Sequence, residues 1–527
     1  MTAIETIKEL FTLKGDLLES AARSADFTDD EALLRSVAQW AAQRCAENAE
    51  TVWQEAKVLV AEDWLDLSLL RDFLEIGLKP WKFYGRIFGS NEQYDEWRRT
   101  RVLITVHRGA KQIGGSITEI SMGRTTVLVD CGSELPGSRG SVRDEDIIKK
   151  IFDQHRRYTD HQLSGVLFTH YHGDHAGLME KIPSDIPIYM DEAMRKILRV
   201  LHKHTGNTAM QELLADHSGR IHTFTPGKLF HIGDMNIVPF FVDHSAYRAT
   251  MYLFAGVGRT ILFSGDFRSV GYMGKSVAII PKLIRENYQQ PVDVLLCEGT
   301  MLTRDAAEEQ LLTEWDVKKE ATDFMRDRRQ IFVLCSSTNF DSITSICQAA
   351  QANNLPIYGS DYIAEMLKTF SAMAGEKMGL YGLPPVKSIK EFLARKDGEY
   401  VVLLGSLPGR GKEKAAELYR NYGKGKREYR PYLIYSLWQG YLNPRHPAYD
   451  EGLATFVGQF DGRFKYIHSS GHADRDTMAK FITDIAPEKY IVPFHTEKAA
   501  GFKELAIEEK YRDMVILPED GDTIEIP

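Results

Sequence analysis

The chain has 527 residues, too many for one ordinary domain, and its 43% apolar and 26% charged residues are the balance of a water-soluble globular protein. No run of about 18 uncharged apolar residues occurs, and Met1–Glu5 lacks a basic stretch leading into an apolar one, so neither a membrane span nor a signal peptide is expected and the location read is cytoplasmic. The five cysteines (Cys45, Cys131, Cys297, Cys335 and Cys347) are scattered and odd in number, which reads as reduced thiols and excludes a disulfide framework or a Cys-rich zinc site.

The net charge of −9 is concentrated at the start, where residues 1–100 hold 12 Lys and Arg against 19 Asp and Glu. The remainder is close to balance. Total charge therefore does not announce a nucleic-acid binder, although a local basic channel fits on a balanced body.

Residues 1–100 form the first predicted region. Ile4, Ile7, Leu10 and Phe11 recur at helical spacing, as do Leu33, Leu34, Val37, Trp40 and Ala41. Thr28, before Asp29-Asp30-Glu31, is the expected N-cap of the second pattern. Five of the seven tryptophans lie here, at 40, 53, 64, 81 and 97, and predict a helical extension with an aromatic core. The other use for such a segment is a surface for a homo-oligomer or protein partner.

From Arg101 short β runs separated by Gly-rich turns take over: Val102–Val106, Thr126–Val129, Gly165–Phe168, Ile237–Val242, Thr250–Phe254, Thr260–Phe263 and Val292–Leu296. Residues 330–450 read as alternating strand and helix, with strands at Ile331–Leu334, Pro356–Tyr358, Tyr400–Leu404 and Tyr432–Tyr435. The earlier style returns at Tyr466–His468 and Tyr490–Pro493.

The segment that carries chemistry is Thr169-His170-Tyr171-His172-Gly173-Asp174-His175. Three imidazoles and a carboxylate in six residues, just after a buried-type strand, are hard to explain without a metal. Neutral imidazole ligates well, and charged imidazoles so close repel each other. The bland alternative is a solvated His-rich loop.

This spacing resembles the His-x-His-x-Asp-His motif of the metallo-β-lactamase superfamily. The remaining positions of that pattern occur in order: Asp130 in Val129-Asp130-Cys131-Gly132, His244 in Asp243-His244-Ser245, Asp266 in Ser264-Gly265-Asp266-Phe267, and His495 in Pro493-Phe494-His495-Thr496. The resemblance implies that His170, His172 and His244 hold one metal, that Asp174, His175 and His495 hold a second, and that Asp266 bridges them. Asp130 is implied to orient a ligand imidazole. Two divalent ions are thus expected, zinc foremost and manganese as the alternative, acidifying a water and neutralising charge on the substrate.

Asp266 and His495 are separated by 228 residues, an insert that small members of the superfamily lack. Three landmarks resemble the β-CASP nuclease branch and, within it, the ribonuclease J family: Glu298 in Cys297-Glu298-Gly299, Ser470 and His472 in Ser469-Ser470-Gly471-His472, and His495 again. In this branch a histidine at the last position accompanies RNA-acting members. Ser337 and Asn339 in Ser336-Ser337-Thr338-Asn339 resemble a loop that holds substrate phosphate there. The implied fold is α/β: a metallo-β-lactamase αββα sandwich with an inserted α/β β-CASP domain and an N-terminal helical extension. Its expected divisions are 1–100 for the extension, 101–300 for the first part of the metallo-β-lactamase domain, 301–455 for the β-CASP domain and 456–527 for the closing part. The likeness covers residues 101–527 and not the first 100.

Two segments depart from the ribonuclease J pattern. Gly405-Ser406-Leu407-Pro408 stands where a Gly-Ser-Gln-Gly loop is usual, and Ser245-Ala246-Tyr247-Arg248 lacks the usual Pro-Asp. The stretch 410–430 is the expected nucleic-acid footprint. It holds Arg410, Lys412, Lys414, Arg420, Lys424, Lys426, Arg427 and Arg430, with Tyr419, Tyr422 and Tyr429 between them to stack on bases.

The function expected is hydrolysis of single-stranded RNA, endonucleolytic or from the 5′ end. Asp174, His472, Glu298 and Asp130 are the catalytic set, and Ser337, Asn339, Ser470, His472, Arg410 and Lys412 the substrate contacts. The alternatives are a DNA nuclease of the same fold, a hydrolase of other substrates, or a scaffold subunit. The last usually loses ligands, and none is missing here.

Overall fold

A computed structural model of the chain describes residues 2–10, 15–61, 65, 67, 70–71, 74, 101–135, 143–157, 163–288, 291–304, 311–375, 380–394, 398–405, 417–421, 430–460 and 462–526. Two compact units emerge, Met1–Thr105 with Asp522–Pro527, and Val106–Gly521.

Among the described residues of the first unit, the helices Ala3–Glu9, Gly15–Ser24, Asp30–Cys45 and Ala49–Ala61 share one core that buries Ile7, Leu10, Leu33, Val37, Trp40 and Trp53. The first helix opens with a capping box between Thr2 and Glu5. The third is capped by Asp29, not by Thr28. Asp29 is extended and its carboxylate accepts the Ala32 N–H, whereas Thr28 turns back to donate to Asp26. A carboxylate one residue closer to the helix takes the orphan donor and meets the positive end of the dipole. Trp64, Trp81, Trp97 and Phe11 lie outside the described residues. Within this unit Val102–Thr105 also pairs antiparallel with the last strand.

Among the described residues the second unit carries three sheets, the first of them entered at Val106, part-way along its first strand. Strands β1 (Val102–Arg108), β2 (Ile117–Met122), β3 (Thr125–Val129), β4 (Leu163–Leu167), β5 (Ile188–Asp191) and β6 (Ile221–Phe224) lie side by side in that order. Strands β7 (Phe230–Ile232), β8 (Met235–Val242), β9 (Ala249–Gly256), β10 (Arg259–Phe263) and β11 (Val294–Glu298) form a second sheet, joined at its far edge by β18 (Tyr490–Phe494). The two sheets meet face to face: Tyr252 of β9 donates to the Phe168 carbonyl at 2.6 Å and packs edge-on against Phe224 of β6. Helix Glu192–Thr205 packs into the core of the first sheet, and helices Ser276–Asn287 and Arg475–Ile485 into that of the second. This is the α/β sandwich, with helices outside two central sheets.

The third sheet, in the order β14-β13-β15-β12-β16-β17, is wholly parallel. Its strands are β12 (Gln330–Cys335), β13 (Ile357–Gly359), β14 (Val386–Ser388), β15 (Tyr400–Leu403), β16 (Tyr432–Ser436) and β17 (Phe464–Tyr466). β19 (Thr523–Ile526) ends the chain's strands. Central strands β3, β11 and β15 are buried at every residue, as strands covered on both faces must be, which is why they read as unbroken apolar runs. All five cysteines are free thiols. Among the described residues no helix is long and apolar enough to cross a membrane.

Candidate metal centre

The residues of the His-rich loop leave the end of β4 and enter a single helical turn, Gly173–Ala176. Three hydrogen bonds from two neighbouring backbone segments clamp it: Ser116 N–H donates to the Asp174 carbonyl, Cys131 N–H to that of His175 and Ser133 N–H to that of Gly173, at 2.8–3.0 Å. The contact is so close that a Cβ built on Gly132 would lie 1.7 Å from the Asp174 carbonyl oxygen, so glycine is required there. Asp130 and His495, each just past a strand end, adopt left-handed backbone (φ 62° and 51°) although neither is glycine. Such strain persists only where the surroundings hold it, commonly at functional sites.

Among the described residues, four sets of side chains have donor atoms within 4.8 Å of one another: His170, His172 and His244; Asp174, His175 and His495; His170, His175 and Asp266; and Asp266, Glu298, His472 and His495. Asp266 sits among them. Its Oδ2 lies 3.1 Å from His175 Nε2, 3.7 Å from His472 Nδ1 and 4.0 Å from His244 Nε2, and its Oδ1 3.8 Å from His495 Nδ1. Asp130 accepts from His175 Nδ1 at 2.8 Å and from the Thr169 N–H, which turns His175 Nε2 toward Asp266. His244 Nδ1 is held by the Gly471 carbonyl and His495 Nδ1 by the Thr300 hydroxyl.

Two observations test whether these groups fit a metal. His175 Nε2 and Asp266 Oδ1 are buried and make no hydrogen bond, an expensive state for polar atoms unless a ligand completes it. In addition, burial and the mutual repulsion of the imidazoles push His170 and His244 well below the usual histidine range. Burial likewise brings His172 down to about 4, so all three are neutral donors near pH 7. Burial opposes charge on His175 too, but Asp266, Asp130 and Asp174 together outweigh it and raise that imidazole. A donor set of three neutral imidazoles, His170, His172 and His244, beside the carboxylates Asp174 and Asp266 fits divalent zinc or manganese.

His472 stands beside this cluster, 19% exposed, with Nδ1 3.2 Å from the fully buried Glu298. Burial would lower His472, but Glu298 and then Asp266 raise it above its ordinary value. Glu298 is itself fixed by the backbone N–H groups of Thr300, Phe267 and Ala473. Ser470 Oγ accepts the His472 N–H, and Asp474, not His472, caps the helix that follows.

Arg268 was not anticipated from sequence. Fully buried, it donates to the Ser470 carbonyl and to Asp341 and lies within 3.5 Å of Asp243 and Glu314. It thereby ties the strand end bearing Asp266 to the His472 loop and to the helices Glu314–Arg326 and Phe340–Ala352. Its only sequence signal was an arginine two residues beyond Asp266. Tyr171 was also missed as a brace: its hydroxyl donates to the Thr338 carbonyl and accepts the Tyr247 N–H.

Ser337 and Asn339 are buried and outside the donor cluster. Asn339 caps helix Phe340–Ala352 by accepting the Ser342 N–H. Of the basic stretch, Arg410, Lys412, Lys414, Tyr422, Lys424, Lys426, Arg427 and Tyr429 lie outside the described residues. Arg420 and Arg430 are exposed. Tyr419 is not a stacking residue. It is 3% exposed, packs on Phe456 and Phe460, and donates to the Gln459 carbonyl, because an apolar ring beside Leu418 gains more from the core than from solvent.

Residues 125–333 match the family model of a beta-lactamase superfamily domain, which spans His170, His172, Asp174, His175, His244, Asp266 and Glu298. The chain belongs to the metallo-β-lactamase superfamily. Residues 461–518 match a Zn-dependent metallo-hydrolase RNA specificity domain, the segment holding His472 and His495, and the pair of matches fits the β-CASP branch. This metallo-β-lactamase protein is similar in fold to the crystal structure of a protein of unknown function from Enterococcus faecalis V583. That likeness has 19% identity and a TM-score of 0.58, and covers 81% of this chain and 100% of the other. No curated protein matches. The protein is thus a metallo-hydrolase of this superfamily with an RNA-specificity domain and side-chain clusters suited to metal.

Proposed function

We propose that the protein hydrolyses phosphodiester bonds of single-stranded RNA. The observation that carries this reading is the His472–Glu298 pair. It stands at the edge of the metal-type cluster, inside or beside a segment similar to an RNA specificity domain. His170, His172 and His244 would hold one divalent ion and Asp174, His175 and His495 a second, with Asp266 between them. Ions held there would supply Lewis acidity, that is, an acidified water as nucleophile and neutralisation of charge on a phosphoryl oxygen.

The remaining chemistry belongs to the chain. Glu298 engages His472 Nδ1, so Nε2 is the nitrogen presented to substrate. From there His472 donates a proton to the departing oxygen. Asp130 holds the His175 ring in register. In the same reading residues 101–300 and 456–527 build the metal face, 301–455 form an inserted β-CASP domain, and Arg410 and Lys412 contact RNA backbone.

A time course with matched single-stranded RNA, single-stranded DNA and duplex RNA tests it, each carrying a 5′-monophosphate or a 5′-hydroxyl. Faster cutting of single-stranded RNA is expected. Equal or faster cutting of DNA rejects the assignment. Mononucleotide products with a 5′-monophosphate bias mark an exonuclease, and internal cuts indifferent to the 5′ end an endonuclease.

A further inference from the structure

The open side of the metal-type cluster is marked by its partly exposed members, His172, Asp174 at 15% and His472 at 19%, while His175, His495 and Glu298 are at 0%. Two loops meet near this mouth. Parallel neighbours β16 and β17 end together, with the Ile467 N–H on the Tyr435 carbonyl, so the loop Leu437–Leu442 and the loop bearing Ser470 and His472 leave the same edge. The carboxyl edge of parallel strands is where α/β proteins place ligands.

The loop after β16 carries an aromatic pair. Trp438 and Tyr441 meet edge to face at 5.4 Å, and His446 packs on Trp438 from another side at 4.6 Å. Trp438 folds over its own loop, where a Cβ on Gly440 would lie 2.3 Å from the indole, and the Trp438 carbonyl is fixed by the Tyr435 hydroxyl. Tyr441, by contrast, is 38% exposed.

Arg304 lies 5.2 Å from the Trp438 ring centre. It ends the turn Thr300–Thr303, whose Thr300 holds His495 and whose Met301 touches Ser470. Burial and then the charge of Asp174 raise the Tyr441 phenol while Arg304 opposes them, so this ring lies within the field of both. An exposed ring braced from behind, a guanidinium and a reaction centre thus adjoin.

We propose that Tyr441, braced by Trp438, is the stacking platform for the base of the nucleotide next to the scissile phosphate, and that Arg304 contacts that nucleotide's backbone phosphate. The assignment rests on the RNA-hydrolysis reading and names the part of the site that grips substrate. Stacking on an aromatic ring tolerates any base, which predicts grip without sequence preference. Trp438 is a positioning residue.

The test uses the metal-loaded full chain and single-stranded RNAs carrying one abasic nucleotide at successive positions. Tyr441→Ala should raise KM about 10-fold with kcat little changed, while Tyr441→Phe stays near wild type. Trp438→Ala should follow Tyr441→Ala at unchanged metal content. In the wild type one abasic position should reproduce the loss, and in Tyr441→Ala that same position should cost nothing more. Arg304→Gln should flatten the slope of log affinity against log salt by about one phosphate contact. An unchanged KM in Tyr441→Ala, or abasic penalties that simply add to it everywhere, overturns the platform and leaves RNA hydrolysis standing. Binding of fluorescein-labelled RNA, read by anisotropy, separates the two readings. Uncut RNA whose binding weakens in Tyr441→Ala keeps the platform and sinks the hydrolysis, and RNA that the wild type does not bind sinks both.

Discussion

Two buried charge clusters lie next to each other in the second unit and are built on opposite plans. Around Asp266, imidazoles crowd a few carboxylates and leave His175 Nε2 and Asp266 Oδ1 without hydrogen bonds. Around Arg268, a guanidinium gathers Asp243, Glu314 and Asp341, and although Arg268 Nε itself makes no hydrogen bond, hydroxyls and backbone groups surround the carboxylates: Ser342 and Ser345 donate to Glu314, Tyr381 to Asp341, and the Gly271 N–H to Asp243. The first cluster is a donor set suited to an added cation and the second contains its own. A buried charge group that the protein neutralises itself is a joint, whereas one left incomplete is a place for a ligand.

The largest expected effect attacks the incomplete cluster. Metal analysis of fully loaded protein should find about two divalent ions per chain, and His172→Ala should lose metal and hydrolysis together. Fewer than one ion per chain in the wild type would erase the distinction drawn between the clusters. Next, His472→Ala should keep its metals and lose a factor on the order of 10²–10⁴ in rate, as for a lost general acid. Metal loss in this variant would mean that His472 belongs to the ligand set.

The joint is challenged by Arg268→Met, which strands buried carboxylates without their cation. Destabilisation of about 3–5 kcal/mol is expected in denaturant unfolding, with metal stoichiometry retained at low temperature. A change well under 1 kcal/mol would show that the cluster holds nothing together.

The smallest effect lies at the surface, where Glu365 of helix Asp361–Ala374 meets Lys203 and His204 of helix Glu192–Thr205 at 2.7 and 2.8 Å. Hydrogen bonds from Lys203 and His204 lower Glu365 below its ordinary 4.5. A depressed carboxylate contributes stability above the unfolded value and loses it as pH falls through the folded one. Glu365→Gln should therefore cost under about 1 kcal/mol near pH 7 and nothing at pH well below 4.5. A cost that persists in acid or in 1 M salt would mean that the contact is not electrostatic.

Much of the metal-type cluster was legible because its chemistry is local. His170, His172, Asp174 and His175 share one loop, and Asp130, Asp266 and His495 each follow an apolar run that could hardly be anything but a strand. The superfamily fold followed from those positions. Arg268 escaped because an arginine near a turn reads as a solvated surface residue, and only the approach of helices more than forty positions later buries it. Tyr419 was misread for the opposite reason: basic neighbours suggested an exposed ring, while Leu418 beside it marked the inward face of a helix. Trp438 and Tyr441 meet because they stand three positions apart across the short 3-10 turn Gln439–Leu442, a turn too short for any run of periodic residues to announce.

The wide spacing of the cluster has a consequence in time. His170 and His495 are 325 positions apart. At about 5–20 residues per second a ribosome needs roughly 16–65 s to bring the last imidazole out after the first. Throughout that interval the loop at 170–175 can offer only part of a coordination shell to any ion in its surroundings. If His170 and His495 serve one metal centre, full affinity would arrive only with residue 495, and a nascent or truncated product that stops short of it would lack a working centre.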